Sequence, residues 1–148
     1  MKLRWLPLLL LPALLLAGGA PSTAQKPAAA AQNERARAEI ERILEADNLD
    51  SSRLSPREVA ETIAGIGRGR APEDFWNAYL AHVRAWQHFA QVFERSVPQQ
   101  GESTFIENEQ ELLEAERAVE TTFDEVQRIA RRYGARLPVP PGSVVPTV

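Results

Sequence analysis

One stretch constrains the fold more than any other. From Phe75 to Phe93 the chain carries Phe75, Trp76, Tyr79, Leu80, Val83, Trp86, Phe89, Ala90, Val92 and Phe93. At ~100° per residue these side chains spread over more than half the circumference of a helix. A helix that apolar must be the central element of whatever forms around it. Ala71-Pro72-Glu73-Asp74 starts it, with an early proline and two carboxylates where the helix dipole favours negative charge.

Its partner is legible downstream. Phe105, Asn108, Leu112, Ala115, Val119, Thr122, Val126, Ile129 and Tyr133 alternate steps of three and four without a slip. A seam of that kind favours lengthwise, coiled-coil-like packing at a shallow crossing angle. Glutamates crowd the first half of this segment and Arg128, Arg131 and Arg132 its end, in the order the helix dipole favours. Val97-Pro98-Gln99-Gln100-Gly101 reads as the turn between the two long helices, and Gly134 as the stop of the second.

Two shorter helices precede this hairpin. Ala36, Ile40, Ile43 and Leu44 share one face of a helix beginning near Glu34, opposite charges of alternating sign. After the break at Asn48 to Ser52, Ser55-Pro56-Arg57-Glu58 spells a capping box with proline at the first helical position. Val59, Ala60, Ile63 and Ile66 form the buried stripe of that helix, and Gly65, Gly67 and Gly69 are expected to end it in left-handed backbone. The expectation is an all-α bundle of about four helices built on a long antiparallel hairpin, with a folded domain at 34–136.

The flanks differ in kind. Met1 to Trp5 is basic, Leu6 to Ala17 is apolar with two prolines, and small residues follow. That is the order of a secretory signal peptide, expected to occupy 1–24 and be cut after Ser22-Thr23-Ala24; it is too short for a permanent membrane span. Residues 25–33 read as a low-complexity linker, and the uncharged, proline-rich 137–148 as a disordered tail. Arginine outnumbers lysine 15 to 2, in the manner of a GC-rich genome, and with the leader it points to a bacterial periplasmic or extracellular protein.

Composition removes several functions. The chain has no cysteine, which excludes disulfides, thiolate metal sites and thiol nucleophiles. Removing 1–24 takes Lys2 and Arg4 from the 17 basic residues and nothing from the 20 acidic ones, leaving a net charge of about −5. No basic stripe exists for nucleic acid. Gly65 to Ala71 resembles a phosphate loop only in its letters, because a helix and not a strand precedes it.

The candidate chemistry centres on His82. It falls inside the apolar arc, near Phe75, Phe89 and Phe93 on the wheel, where an imidazole needs a partner. Glu109 and Glu116, flanking the seam of the last helix, are the expected carboxylates, with Tyr79 or a backbone carbonyl as other options. His82 and His88 lie six apart, ~120° around the helix, so they cannot share one ion. No cofactor, metal or enzymatic activity is expected. The leading expectation is a non-enzymatic protein-interaction module, using the aromatic face with Trp86 for a protein partner or a homodimer. The alternative is a small-ligand or metal binder built on His82, Tyr79, Trp86, Glu109 and Glu116.

Overall fold

The structure, a computed structural model, describes residues 25–96 and 108–141. The expected signal peptide, the turn at 97–101, the seam position Phe105 and the tail beyond Pro141 lie outside the described residues. Four helices follow in order: α1 (Gln25–Asp47), α2 (Pro56–Ala64), α3 (Glu73–Ser96) and α4 (Glu109–Arg132). The described residues contain no strand. The fold is therefore an all-α small bundle, and no helix among the described residues is long and apolar enough to cross a membrane.

Helix α3 is the spine. Phe75, Tyr79 and Val92 are fully buried, and Val83 and Ala90 nearly so. Helix α4 lies antiparallel along it, and three contacts fix the register: Arg132 to Asp74, Thr122 to His82, and Glu111 to Arg95. The seam is the buried side of α4, with Ala115, Val126 and Ile129 in the core. Arg128 pairs with Glu125, three residues back.

Helix α2 starts as its residues dictate. Ser55 accepts the Glu58 N–H, the Glu58 carboxylate accepts the Ser55 N–H, and Pro56 occupies the first turn. Gly65 ends it in ordinary right-handed backbone (φ −77°), and the left-handed residue is Gly69 (φ 55°). Of the three glycines expected to supply that conformation, Gly69 does and Gly65 and Gly67 do not. At Gly69 a Cβ would collide with the Glu39 carboxylate, so the absent side chain also lets the α2–α3 joint close onto α1. Arg42 holds that joint by donating to the Gly67 carbonyl at 2.8 Å.

Both flanks differ from expectation. Residues 25–33, read as a linker, form the opening turns of α1; their alanines favour helix, and the side chains described from Ala29 to Asn33 are exposed. The start of the proline-rich segment, read as disordered, is docked. Gly134 (φ 70°) is the cause: the Gly134 N–H reaches the Arg131 carbonyl at 3.0 Å and the Ala135 N–H the Ala130 carbonyl at 3.1 Å. This pair of bonds is a Schellman close, which needs a left-handed residue and reverses the chain sharply. The reversal buries Ala135 and sends the chain back along α1. There Glu41 accepts the Arg136 N–H at 3.0 Å, and Asn48 Nδ2 donates to the Val139 carbonyl at 2.9 Å.

Candidate functional site

The docked segment closes one side of a cavity of about 610 Å³. Leu44, Val59, Val119, Phe123 and Leu137 make its apolar wall, with Pro138, Pro140 and Pro141 beside them. Asp47, His82, Trp86 and Gln127 bring polar groups to it, and the loop after α1 adds Asn48 to Ser52. The size and the mixture of a mostly apolar lining with few convergent polar groups are those of a small-molecule site.

His82 is buried as its place in the apolar arc implies, with 3% of its side chain exposed. Trp86, one turn further along α3, donates its indole N–H to His82 Nε2 at 3.2 Å. An indole nitrogen can only donate, so Nε2 carries no proton. The ring proton therefore sits on Nδ1, 3.1 Å from Thr122 Oγ1. Thr122 can accept it because its own hydroxyl proton goes to the Ala118 carbonyl at 2.8 Å. Every polar atom of the ring is satisfied in the neutral form. Burial pushes the His82 pKa down to about 4, against a smaller opposing effect of the Val119 carbonyl.

The carboxylate facing His82 is Asp47, the last residue of α1, whose side chain is 6% exposed. Its Oδ2 stands 3.9 Å from Nε2, but a neutral ring whose Nε2 lone pair is already engaged makes no ion pair with it. Burial pushes the Asp47 pKa up to about 6, and the hydrogen bond from Tyr79 offsets part of that rise. The Tyr79 hydroxyl lies 3.3 Å from Asp47 Oδ1 and 3.2 Å from the Ile63 carbonyl. Burial first, then the neighbouring Asp47 charge, raises the Tyr79 pKa and keeps the phenol protonated. Asp47 Oδ2 has no hydrogen-bond donor among the described residues, and it is not among the sealed-off polar atoms. It is the acceptor that the cavity offers to an incoming molecule.

Of the residues expected from sequence, His82, Tyr79 and Trp86 meet in this polar chain, with His82 and Trp86 on the cavity wall. Glu109 and Glu116 do not join them; both are exposed on α4. The register explains it. Thr122 faces His82, which puts Glu116 about 9 Å and Glu109 about 20 Å away along the helix axis at 1.5 Å per residue. Asp47 takes the place assigned to them, and Thr122 is a second partner that sequence reasoning placed in the seam without giving it this role. Among the described residues no group of three or more His, Asp or Glu side chains is arranged to hold a metal ion.

The aromatic arc is largely used within the fold. Trp76 stacks on Tyr79 at 5.4 Å, Trp86 meets Phe89 edge-on at 5.7 Å, and Phe123 of α4 packs against the His82 ring at 5.1 Å. Phe93 remains 38% exposed at the far end of α3, and Leu113 of α4 51%. Compared with known protein families, with curated proteins and with solved structures, the chain finds no match.

Proposed function

We propose that this chain is a non-enzymatic binder of a small, mainly apolar molecule, held in the cavity between α1, α3, α4 and the segment 137–141. The observation that carries the reading is Asp47 Oδ2, a buried carboxylate oxygen with no hydrogen-bond donor among the described residues, on a cavity wall that also holds Leu44, Val59, Val119, Phe123 and three prolines. A fold that needed only a core has no use for a buried carboxylate whose neutralisation or solvation costs several kcal/mol. An apolar cavity of this volume holds a ligand body, and one fixed polar group orients it. The basic start, apolar run and small-residue close of residues 1–24 support export as the setting.

The test is a calorimetric titration of the purified chain with octanol, a neutral probe, alongside Val119→Phe. We expect saturable binding by the parent. The larger side chain in the wall should abolish it while thermal unfolding stays cooperative. Octanol binding that is absent in the parent, or unaffected by the filled wall, overturns the reading.

A second reading, contact with a protein partner or a second copy, rests on the exposed Phe93 and Leu113. Sedimentation across a hundredfold range of concentration tests the homodimer form, and a strict monomer throughout counts against it.

A further inference from the structure

Resting on the cavity reading, we propose that the ligand is an organic cation, an amine with an apolar body, whose ammonium group is received by Asp47. Three carboxylates line the cavity, namely Asp47 at its floor with Asp50 and Glu120, and no lysine or arginine does so. Two guanidiniums reach residues of the wall and both are engaged: Arg131 donates to Gln127 Oε1 at 2.8 Å, and Arg53 pairs with Asp50 Oδ2 at 3.2 Å. An anionic ligand would meet Asp47 and Glu120, with no lysine or arginine on the lining to offset them. A neutral one would leave the buried carboxylate to be desolvated without a counter-charge. A cation supplies the missing donor to Asp47 Oδ2. Trp86 and Phe123 line the same wall, and aromatic rings beside an ammonium group attract it further.

The groups around Asp47 do not oppose this. On α3, Tyr79 is a protonated phenol that donates to Oδ1, and His82 is a neutral ring. From α4 Glu120 adds negative charge, in the loop Asp50 is offset by Arg53 at 3.2 Å, and on α1 itself Arg42 is committed to Glu39 and the Gly67 carbonyl. Binding a cation requires Asp47 ionised. Affinity should therefore fall as pH drops through the pKa of about 6 that burial gives the free carboxyl, while His82 stays neutral until about pH 4.

The experiment compares octylammonium, octanol and octanoate, which share one apolar body and differ in charge, binding to the full chain at pH 7.5. Octylammonium is expected to bind at least about tenfold more tightly than octanol, and octanoate more weakly than either, from the charge pairing in a partly desolvated site. Asp47→Asn should remove most of the advantage of octylammonium over octanol. Glu120→Gln, an exposed change that leaves the buried chain intact, should weaken octylammonium about two- to fivefold. Lowering the pH from 7 to 5 should weaken octylammonium by up to about tenfold and leave octanol unchanged. Octanoate matching octylammonium, or an amine preference that Asp47→Asn leaves undiminished, overturns the cation assignment. Octanol binding with no advantage for the amine overturns it too but leaves the cavity reading standing, whereas failure of all three probes removes both.

Discussion

Asp47 and His82 face each other at 3.9 Å without sharing a charge. The carboxyl pKa stands near 6 and the imidazole pKa near 4, so burial has moved the two groups in opposite directions, each towards its uncharged form. A pair that looks like a salt bridge by distance is a juxtaposition of a carboxyl that keeps its proton to higher pH and a ring that gives its proton up at lower pH.

Their contributions to stability therefore oppose each other. A raised Asp47 pKa means the folded state binds the proton more tightly than the unfolded state, so this contribution is full below about pH 4 and is lost as pH rises through about 6. A lowered His82 pKa contributes stability that is full above about 6.5 and is lost as pH falls through about 4. Each amounts to about 3 kcal/mol in magnitude, and between pH 4 and 6 they nearly cancel. Asp47→Asn should unmask the histidine, with stability relative to the parent falling as pH is lowered across this window. His82→Gln should do the reverse, with stability relative to the parent rising as pH falls. Urea unfolding of the three proteins at half-unit pH steps measures both slopes, and parallel profiles would refute the account.

The Trp86 indole fixes the His82 tautomer, so Trp86→Phe should free Nε2. The ring then gains a site for a second proton facing Asp47 Oδ2, and its pKa should rise from about 4. Loss of the bond should cost about 1 to 2 kcal/mol of stability. The imidazole resonances followed by NMR against pH report the shift directly, and an unmoved titration would mean that Trp86 does not set the tautomer.

Gly134→Ala places a Cβ on a residue at φ 70°, although nothing lies within 4 Å to clash with it. The cost is then purely conformational, about 1 to 2 kcal/mol. Because the same turn directs 137–141 onto α1, the variant should also bind octanol more weakly than its loss of stability explains. Thermal unfolding and calorimetry together check both halves.

Ser55→Ala removes one arm of the capping box and should destabilise the protein by about 1 kcal/mol, with no effect on probe binding. It serves as the control that separates stability from the site.

How much of this was legible in the sequence depends on what kind of information each feature uses. Capping at Ser55 and the central place of α3 are local or periodic, and both follow from residue types at fixed spacing. His82 was recognised as buried for the same reason. Its partners were not, because helical periodicity fixes the face of a side chain but not the height at which two helices meet. Glu109 and Glu116 border the seam, and they miss His82 both because they lie exposed on α4 and by their position along the axis. Asp47 was passed over because it sits where the pattern of α1 gives out, and its approach to α3 follows from how α1 packs. The proline segment composes like a tail, yet one left-handed glycine before it turns it onto the bundle.

That segment has a further consequence. A wall made of ordinary backbone would aim amide protons into an apolar space and strand them there, but Pro138, Pro140 and Pro141 have none to strand. At these three positions no amide proton is left to satisfy on this side of the cavity. Because the wall is an add-on to the helices, pinned by side chains at Glu41 and Asn48, its shape can drift by substitution while the bundle keeps its core. Ligand size could be retuned over evolutionary time in five residues without renegotiating the fold.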